Sequence, residues 1–402
     1  PDPKHVRDIY HELKFRVRAL FRRWEDSDAL AAEGVSQRGN MGSRTKSRLT
    51  PPDIHATFRD SLATLGKGVA HPIELRELLG YGSTGHQFPS NWGELSSSGA
   101  LYSSLYPRRS DIQDCFLLFL CKSGWNPQVA LDIDLSDSDW VMPHPITPGR
   151  VVISSKKARG ETMQQAVSGT RSEVDVFPML QKLIARTEPL RRDLERELAH
   201  LISVRGDGDQ FNQRMVDLQR MIRSPWLAFD NGSVGEVLCL DILTYNSTPK
   251  SDPYLRVLIR QVNAKNEERG RTGAAVQEPG GPVPETMQPT DLRDAFIANG
   301  IVASGFNWLV GRILAGHASA ESIRAYIRKR QYRAHSEKQV RKLQNALWSE
   351  IENYQIVDGA MLNLMVRNGT VTDEQRQRWL SGKGLTRMGM GCLDPCNPPK
   401  EL

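Results

Sequence analysis

The sequence predicts an α+β protein, mainly α-helical with a small antiparallel β-sheet. Two observations carry that expectation. Apolar residues recur every three or four positions over most of the chain, the spacing that lines one face of an α-helix. One pair of short runs, residues 151–154 and 162–167, flanks the turn KKARG and has the pattern of a hairpin.

Residues 7–35 form the first predicted helix, with Leu13, Val17, Leu20 and Phe21 on one face and Arg16, Arg18, Arg22 and Arg23 between them. The Gly-, Ser- and Pro-bearing stretch that follows, with Arg38, Arg44, Lys46 and Arg48, reads as a basic, flexible loop. A solvated insertion accounts for its charge more simply than a DNA contact. A second helix is expected from Asp53 to about Leu65, then a Gly- and Ser-rich passage ending near Ser104. Pro107–Ala130 predicts a helix with a broad apolar face of Ile112, Cys115, Phe116, Phe119 and Leu120. Its run from Cys115 to Cys121 is the longest apolar stretch in the chain and should be buried.

A short strand is expected over Ala130–Leu135, ahead of the hairpin. Helices resume over Val176–Ile202 and Gln210–Ile222, and the charged segment 188–199 reads as an exposed face laced with salt bridges. Residues 263–289, rich in Gly, Pro and charge, predict an exposed or partly disordered loop. Three patterned helices at 290–303, 305–315 and 319–331, a final helix at about 335–353, and a Gly/Pro/Cys-bearing tail complete the chain.

A chain of 402 residues fits more than one core. Hydrophobic residues at 39% and charged residues at 25% exclude a wholly disordered chain. No stretch approaches the ~18 consecutive apolar residues of a membrane span. The net charge of +6 is compatible with a polyanionic partner without requiring one. Five scattered cysteines lack the even spacing of a disulfide framework and point to a reducing cytoplasm. The opening at Pro1 has neither a starting Met nor a signal-peptide pattern, so an upstream portion is expected. There is no P-loop, GxSxG, HExxH or strand-linked GxGxxG. Cys392 and Cys396 are spaced to open a zinc site, but only two ligands are visible and no metal is expected.

The informative block is TDLRDAFIANGIVASGFNWLVGRILAGHASAESIRAYI, residues 290–327. Taken singly, its residues have plain explanations. Arg293 would be a solvated helix residue, His317 a helix cap, and Tyr326 a core residue beside Ile323 and Ile327. Their order and spacing together say more: an Arg early in one helix, a Leu-x-Gly-His turn through Leu314, Gly316 and His317, and a Tyr nine residues past the His. Phe296, Ile301, Leu309, Ile313 and Leu314 supply an apolar pattern that would pack these helices. Two further segments belong with it: LLFLCKSGWNPQVALDIDLSD at 117–137 and VVISSKKARGET at 151–162.

Together these three segments resemble the catalytic domain of the tyrosine recombinase (phage integrase) family, over roughly residues 105–330. The resemblance implies site-specific cutting and rejoining of double-stranded DNA through a 3′-phosphotyrosine intermediate, with no metal, ATP or other cofactor. It also implies a homotetramer assembled on DNA, and a cytoplasmic, nucleoid-associated setting in a bacterial mobile element. Tyr326 would be the nucleophile, Arg293 the phosphate clamp and His317 a hydrogen-bond or proton-shuttling partner. Lys157 would be the general acid, with Lys156 its close rival. Arg159, Arg324, Arg328, Lys329 and Arg330 are candidate DNA contacts, the last four equally readable as a solvated face. Tyr332, fifteen residues past His317, fits the spacing of a nucleophile badly.

The chemistry explains the residue types. An Arg fork binds two phosphate oxygens as charge builds on them. A Tyr hydroxyl, protonated at neutral pH, needs a positive surrounding and a proton acceptor before it can attack. A Lys can protonate the departing oxygen.

Two family positions are filled differently. Asn126 stands where the family has its first Arg, and Thr290 stands where it has a His three residues before the second Arg. Losing one charge-assisted donor weakens the clamp by about 1.5–3 kcal/mol. Arg108, Arg109 and Arg159 are the cations that could replace it. The alternative implied by Asn126 is a recombinase-fold DNA-binding accessory or regulatory protein that cuts slowly or not at all.

The expected organisation is residues 96–335 as the catalytic domain and 336–402 as a C-terminal helix and tail. Residues 1–95 would be a helical DNA-clamping domain or an enlarged entry to the catalytic domain. The Gly/Ser passage favours the second, with the clamping domain upstream.

Overall fold

A computed structural model describes residues 3–38, 50–78, 98–156, 163–204, 208–230, 236–248, 252–271, 281–305 and 307–315, with scattered residues between 337 and 377. The described chain is mostly helical with a small antiparallel sheet, as the sequence predicts. In order, the elements are α1 (Pro3–Glu33), α2 (Pro51–Leu65), α3 (Pro72–Leu78), α4 (Ser98–Leu105), α5 (Arg109–Ser123) and α6 (Pro127–Leu131). There follow β1 (Val141–Pro143), β2 (Arg150–Lys156), β3 (Met163–Gly169), α7 (Val176–Val204) and α8 (Asp209–Arg223). The last are β4 (Leu227–Asp230), β5 (Glu236–Cys239), α9 (Tyr254–Arg271), α10 (Pro289–Ala303) and α11 (Trp308–Ala315). No described helix is long and apolar enough to cross a membrane.

The chain divides into two compact units: residues 1–300 with 314–316, and 301–313 with 317–402. Three apolar clusters fill the first. The largest is built on α1, whose Val6, Ile9, Leu13, Val17, Leu20 and Trp24 recur at helical spacing and are all buried. It packs with α5, the start of α7, and Leu255, Leu258 and Ile259 of α9. The segment from Cys115 to Leu120 is buried all round, so α5 is the central strut rather than an amphipathic surface helix. A second cluster joins α2, α3 and α4 through Phe58, Leu75 and Tyr102, with Leu190 and Phe229 reaching into it. A third, with Leu194, Leu218 and Leu227, seals α7 and α8 against the β4–β5 hairpin. Leu309 and Ile313, in the second unit, are exposed rather than packed.

The three-stranded sheet has the order β1-β2-β3, with both pairs antiparallel and Lys156 opposite Met163 at the turn end of the β2–β3 ladder. The turn KKARG beyond Lys156 lies outside the described residues.

Four local expectations are corrected. The predicted helix over 107–130 is two, because Gly124 stops α5 in a left-handed conformation (φ 64°) and α6 restarts after Asn126. The predicted strand at 130–135 is the end of α6 and a turn. Ala130 and Asp132 donate to carbonyls four residues back, and the alternating Leu131, Ile133 and Leu135 only imitate a strand. The sheet's third strand is instead β1, too short and too poor in β-branched residues to stand out in sequence. Within the Gly- and Ser-rich passage lie α3 and α4, held by the apolar contacts of Leu75, Leu101 and Tyr102. Finally, α9 continues to Arg271, so residues 263–271 are helix rather than loop. Asn263 there exchanges two hydrogen bonds with the backbone of Val283, at 2.8 and 2.9 Å, anchoring the chain that leads into α10.

Candidate functional site

The turn Gly124-Trp125-Asn126-Pro127 is built from local physics. The Gly124 amide donates to the Leu120 carbonyl at 2.9 Å, closing α5. The Trp125 ring is fully buried, edge-on to Phe119 with centroids 5.3 Å apart. Asn126 then caps α6: its side-chain oxygen accepts from the Gln128 amide at 3.1 Å, and Pro127 occupies the first helical position. Asn126 is exposed, so its amide NH2 is presented at the surface.

Two elements flank this turn. On one side α10 comes so close that a Cβ placed on Gly124 would overlap the ring of Phe296. Leu292 and Ala295 fix that helix in the main cluster, and the half-buried Arg293 lies one turn before Phe296. Thr290 is exposed in the first turn of α10. On the other side β2 is tied to α6, where the buried Ser155 hydroxyl donates to the Val129 carbonyl at 2.9 Å. The next residue, Lys156, is 77% exposed and reaches Asp137, in the loop after α6, at 3.6 Å. Such a loose surface pair holds the ammonium only weakly.

Further along α10, Gly300 permits a second close approach, because a Cβ there would overlap the Leu314 side chain. Leu314 is the leucine of the Leu-x-Gly-His turn. Thus α10 is held at two points about one turn apart: Phe296 against Gly124, and Gly300 against Leu314.

The segments carrying Asn126, Lys156 and Arg293 are therefore neighbours in the fold. Lys157, Arg159, His317, Arg324, Tyr326, Arg328, Lys329 and Arg330 lie outside the described residues, as do Tyr332, Cys392 and Cys396.

Arg108 and Arg109 do not make up for the charge absent at Asn126. They sit at the opposite end of α5, about 22 Å of helix away from Gly124. Arg108 is bound to Asp111 (Nε–Oδ2 3.1 Å) and Arg109 donates to the Ser247 hydroxyl at 2.8 Å. Three cations nearer the turn went unnoticed in the sequence. Lys122, in the last turn of α5, pairs with Asp175 at 2.8 Å. Arg220 and Arg223 line a concavity of about 650 Å³ beside α6. Asp132, Asp134 and Asp241 line it too, so three carboxylates outweigh two guanidiniums and the concavity does not attract anions.

A second group missed in sequence lies in the core. The Asp114 carboxylate accepts from the Tyr254 hydroxyl at 2.8 Å and faces Arg16 at 3.7 Å, joining α5, α9 and α1. Burial pushes the Asp114 carboxyl up to about 7, although Arg16 and Tyr254 oppose it. Burial, then the neighbouring carboxylate, raises the Tyr254 hydroxyl well above its usual value. At Asp111 burial is outweighed by Arg23 and Arg108, which hold the carboxyl below its usual range. Both Asp114 and Tyr254 are buried, and the pair binds three helices together.

Among the described residues no three His, Cys, Asp or Glu side chains gather around a point as metal ligands would. No family model, no curated protein and no solved structure matches this chain.

Proposed function

We propose that the protein cuts and rejoins double-stranded DNA as a tyrosine recombinase does, with Tyr326 as nucleophile. One observation carries the reading: the close packing of Phe296 on Gly124, which makes neighbours of two segments some 170 residues apart that the motif resemblance assigns to one site. The Ser155–Val129 bond adds the hairpin end to the same neighbourhood.

In this reading the Tyr326 oxygen forms a bond to phosphorus as the bond from phosphorus to the 5′ oxygen breaks. The phenol proton passes to an acceptor, for which His317 is the candidate. The leaving oxygen takes a proton from Lys157 or its neighbour Lys156. Arg293 holds the non-bridging oxygens while charge accumulates on them. The broken bond's energy is kept in the phosphotyrosine link, so rejoining needs no cofactor. Working enzymes of this kind act as tetramers on paired DNA sites, and a homotetramer on DNA is part of the proposal.

A second reading has its own observation. Asn126 is engaged as a helix cap and carries no charge, which suits a DNA-binding accessory protein on the same fold that lacks efficient cleavage.

A nicked duplex from which the cleaved fragment diffuses away separates the two. The first reading expects a covalent protein–DNA adduct with the wild-type chain and none with Tyr326→Phe. Salt-sensitive duplex binding without adduct selects the accessory role, and no duplex binding at moderate salt rejects both.

A further inference from the structure

A concavity of about 710 Å³ runs along α1 against α2 and α4. Its character follows from the sequence of α1. Between Glu12 and Glu25 that helix has five cations and no carboxylate. Two of the five are already paired, although Arg23 also lines the groove. Arg16 turns away to Glu12 and Asp114, and Arg23 is held by Asp111 and the Ser103 carbonyl. The other three, Lys14, Arg18 and Arg22, fall four residues apart and line the groove in single file, one about every 6 Å of helix rise.

These three charges are poorly neutralised. Arg18 meets Glu173 only at 3.8 Å, with both side chains exposed by 40% or more. Lys14 lies over the Tyr10 ring, 5.2 Å from its centroid, and Arg22 makes no ion pair among the described residues. Asp26 is the single acid in the lining among the described residues, while His11 and His55 add ring nitrogens. A concave wall that collects one sign of charge focuses its field and draws in counter-charge.

We propose that this groove binds a run of phosphate groups, as carried by a nucleic-acid strand or by free polyphosphate. Evenly spaced cations suit a ligand whose negative charge repeats regularly, which a polyphosphodiester has and an acidic peptide has only by accident of sequence. Guanidinium forks bind phosphate oxygens in pairs, and two of the three cations are arginine. The groove is formed by α1, α2 and α4, elements other than those bearing the candidate site, so the proposal stands apart from the strand-cleavage reading.

The test uses the full chain with Lys14→Ala, Arg18→Ala and Arg22→Ala combined. A control removes three exposed cations elsewhere (Arg7→Ala, Arg192→Ala and Arg196→Ala). Melting temperature checks that each variant folds. Probes are a labelled duplex, read by anisotropy across a salt series, and inorganic polyphosphate, read by calorimetry. For duplex DNA, each lost phosphate contact removes roughly 0.9 from the salt slope and about eightfold in affinity at ~0.1 M salt. The groove variant should therefore lose on the order of a hundredfold or more and flatten the slope by two to three, while the control changes little. Loss of both ligands in the groove variant identifies a general phosphate groove, and loss of polyphosphate alone identifies the free polymer as its ligand. Unchanged affinity for both, equal loss in the control, or polyglutamate binding more tightly than polyphosphate would overturn the proposal. Adduct formation through Tyr326 is scored separately, so either idea can fail without the other.

Discussion

Gly124 and Phe296 touch because neither position leaves room for anything more. Gly124 ends α5 with φ at 64°, and the space its missing Cβ would fill is taken by the Phe296 ring on α10. That contact makes the turn bearing Asn126 and the helix bearing Arg293 into one structural joint.

Gly124→Ala should therefore be costly twice over. The left-handed backbone penalises a Cβ by about 1–2 kcal/mol, and overpacking against the ring adds roughly 1–3 kcal/mol. Thermal unfolding should show the melting temperature falling by about 5–15 °C. Phe296→Leu should restore the packing part but not the backbone part, so a double-mutant cycle is expected to be non-additive. Independent, additive effects would mean that the two residues do not press on each other in solution.

Asn126 lets stability and chemistry be read apart. Asn126→Ala removes the cap of α6 and should cost about 0.5–2 kcal/mol, whereas Asn126→Asp should be close to neutral. Asn126→Arg loses the cap yet places a guanidinium where the resemblance has one. Under the proposed function the adduct should then form faster, by about 100-fold, as expected when a transition-state donor is regained. An Arg variant that is folded but no faster would argue that this turn does not face the phosphate.

Asp114 predicts a pH signature. Its folded carboxyl is pushed up to about 7, above the unfolded value near 4, so the folded state binds the extra proton in between. Its contribution is greatest below about pH 4 and is lost as pH rises to about 7. Asp114→Asn keeps a partner for Tyr254 while removing the titration. The wild-type minus variant stability difference, from urea melts, should fall with rising pH across that window and be flat above it. A flat difference throughout would contradict the burial of that carboxyl.

Lys156 and Lys157 should separate cleanly. Lys156 is mostly exposed and only loosely paired with Asp137, so Lys156→Ala should alter stability by less than about 0.5 kcal/mol. If the general acid is Lys157, only Lys157→Ala slows cleavage of a normal phosphodiester. A substrate whose bridging 5′ oxygen is replaced by sulfur, a leaving group that needs no proton, should rescue that variant. Slowing by Lys156→Ala with the same rescue would transfer the role.

Much of the fold can be read from periodicity, because α1, α2, α7 and α8 each bury one regular apolar face. Elsewhere, local pattern and tertiary context disagree. The apolar alternation of Leu131, Ile133 and Leu135 looks like a strand, but the hydrogen bonds of α6 claim that backbone. From Asn266 to Arg269, α9 is polar and exposed, which in composition cannot be told from a loop. The paired segments of the site were legible as an ordered set of residue types, and their adjacency was not. It depends on Phe296 filling the space at Gly124, a contact that no local pattern encodes. The groove on α1 was half legible. The cations of residues 14–23 are plain in sequence, but which of them the core withdraws depends on Asp111 and Asp114.

The central claim is that one phenol oxygen, that of Tyr326, becomes bonded to DNA. The most direct measurement digests the trapped protein–DNA adduct with protease and nuclease and locates the residual nucleotide by tandem mass spectrometry. The expected product is a 3′-phosphonucleotide on Tyr326 in the peptide spanning residues 325–328. A nucleotide on Tyr332 or any other residue, or duplex binding with no modified peptide at all, would contradict it.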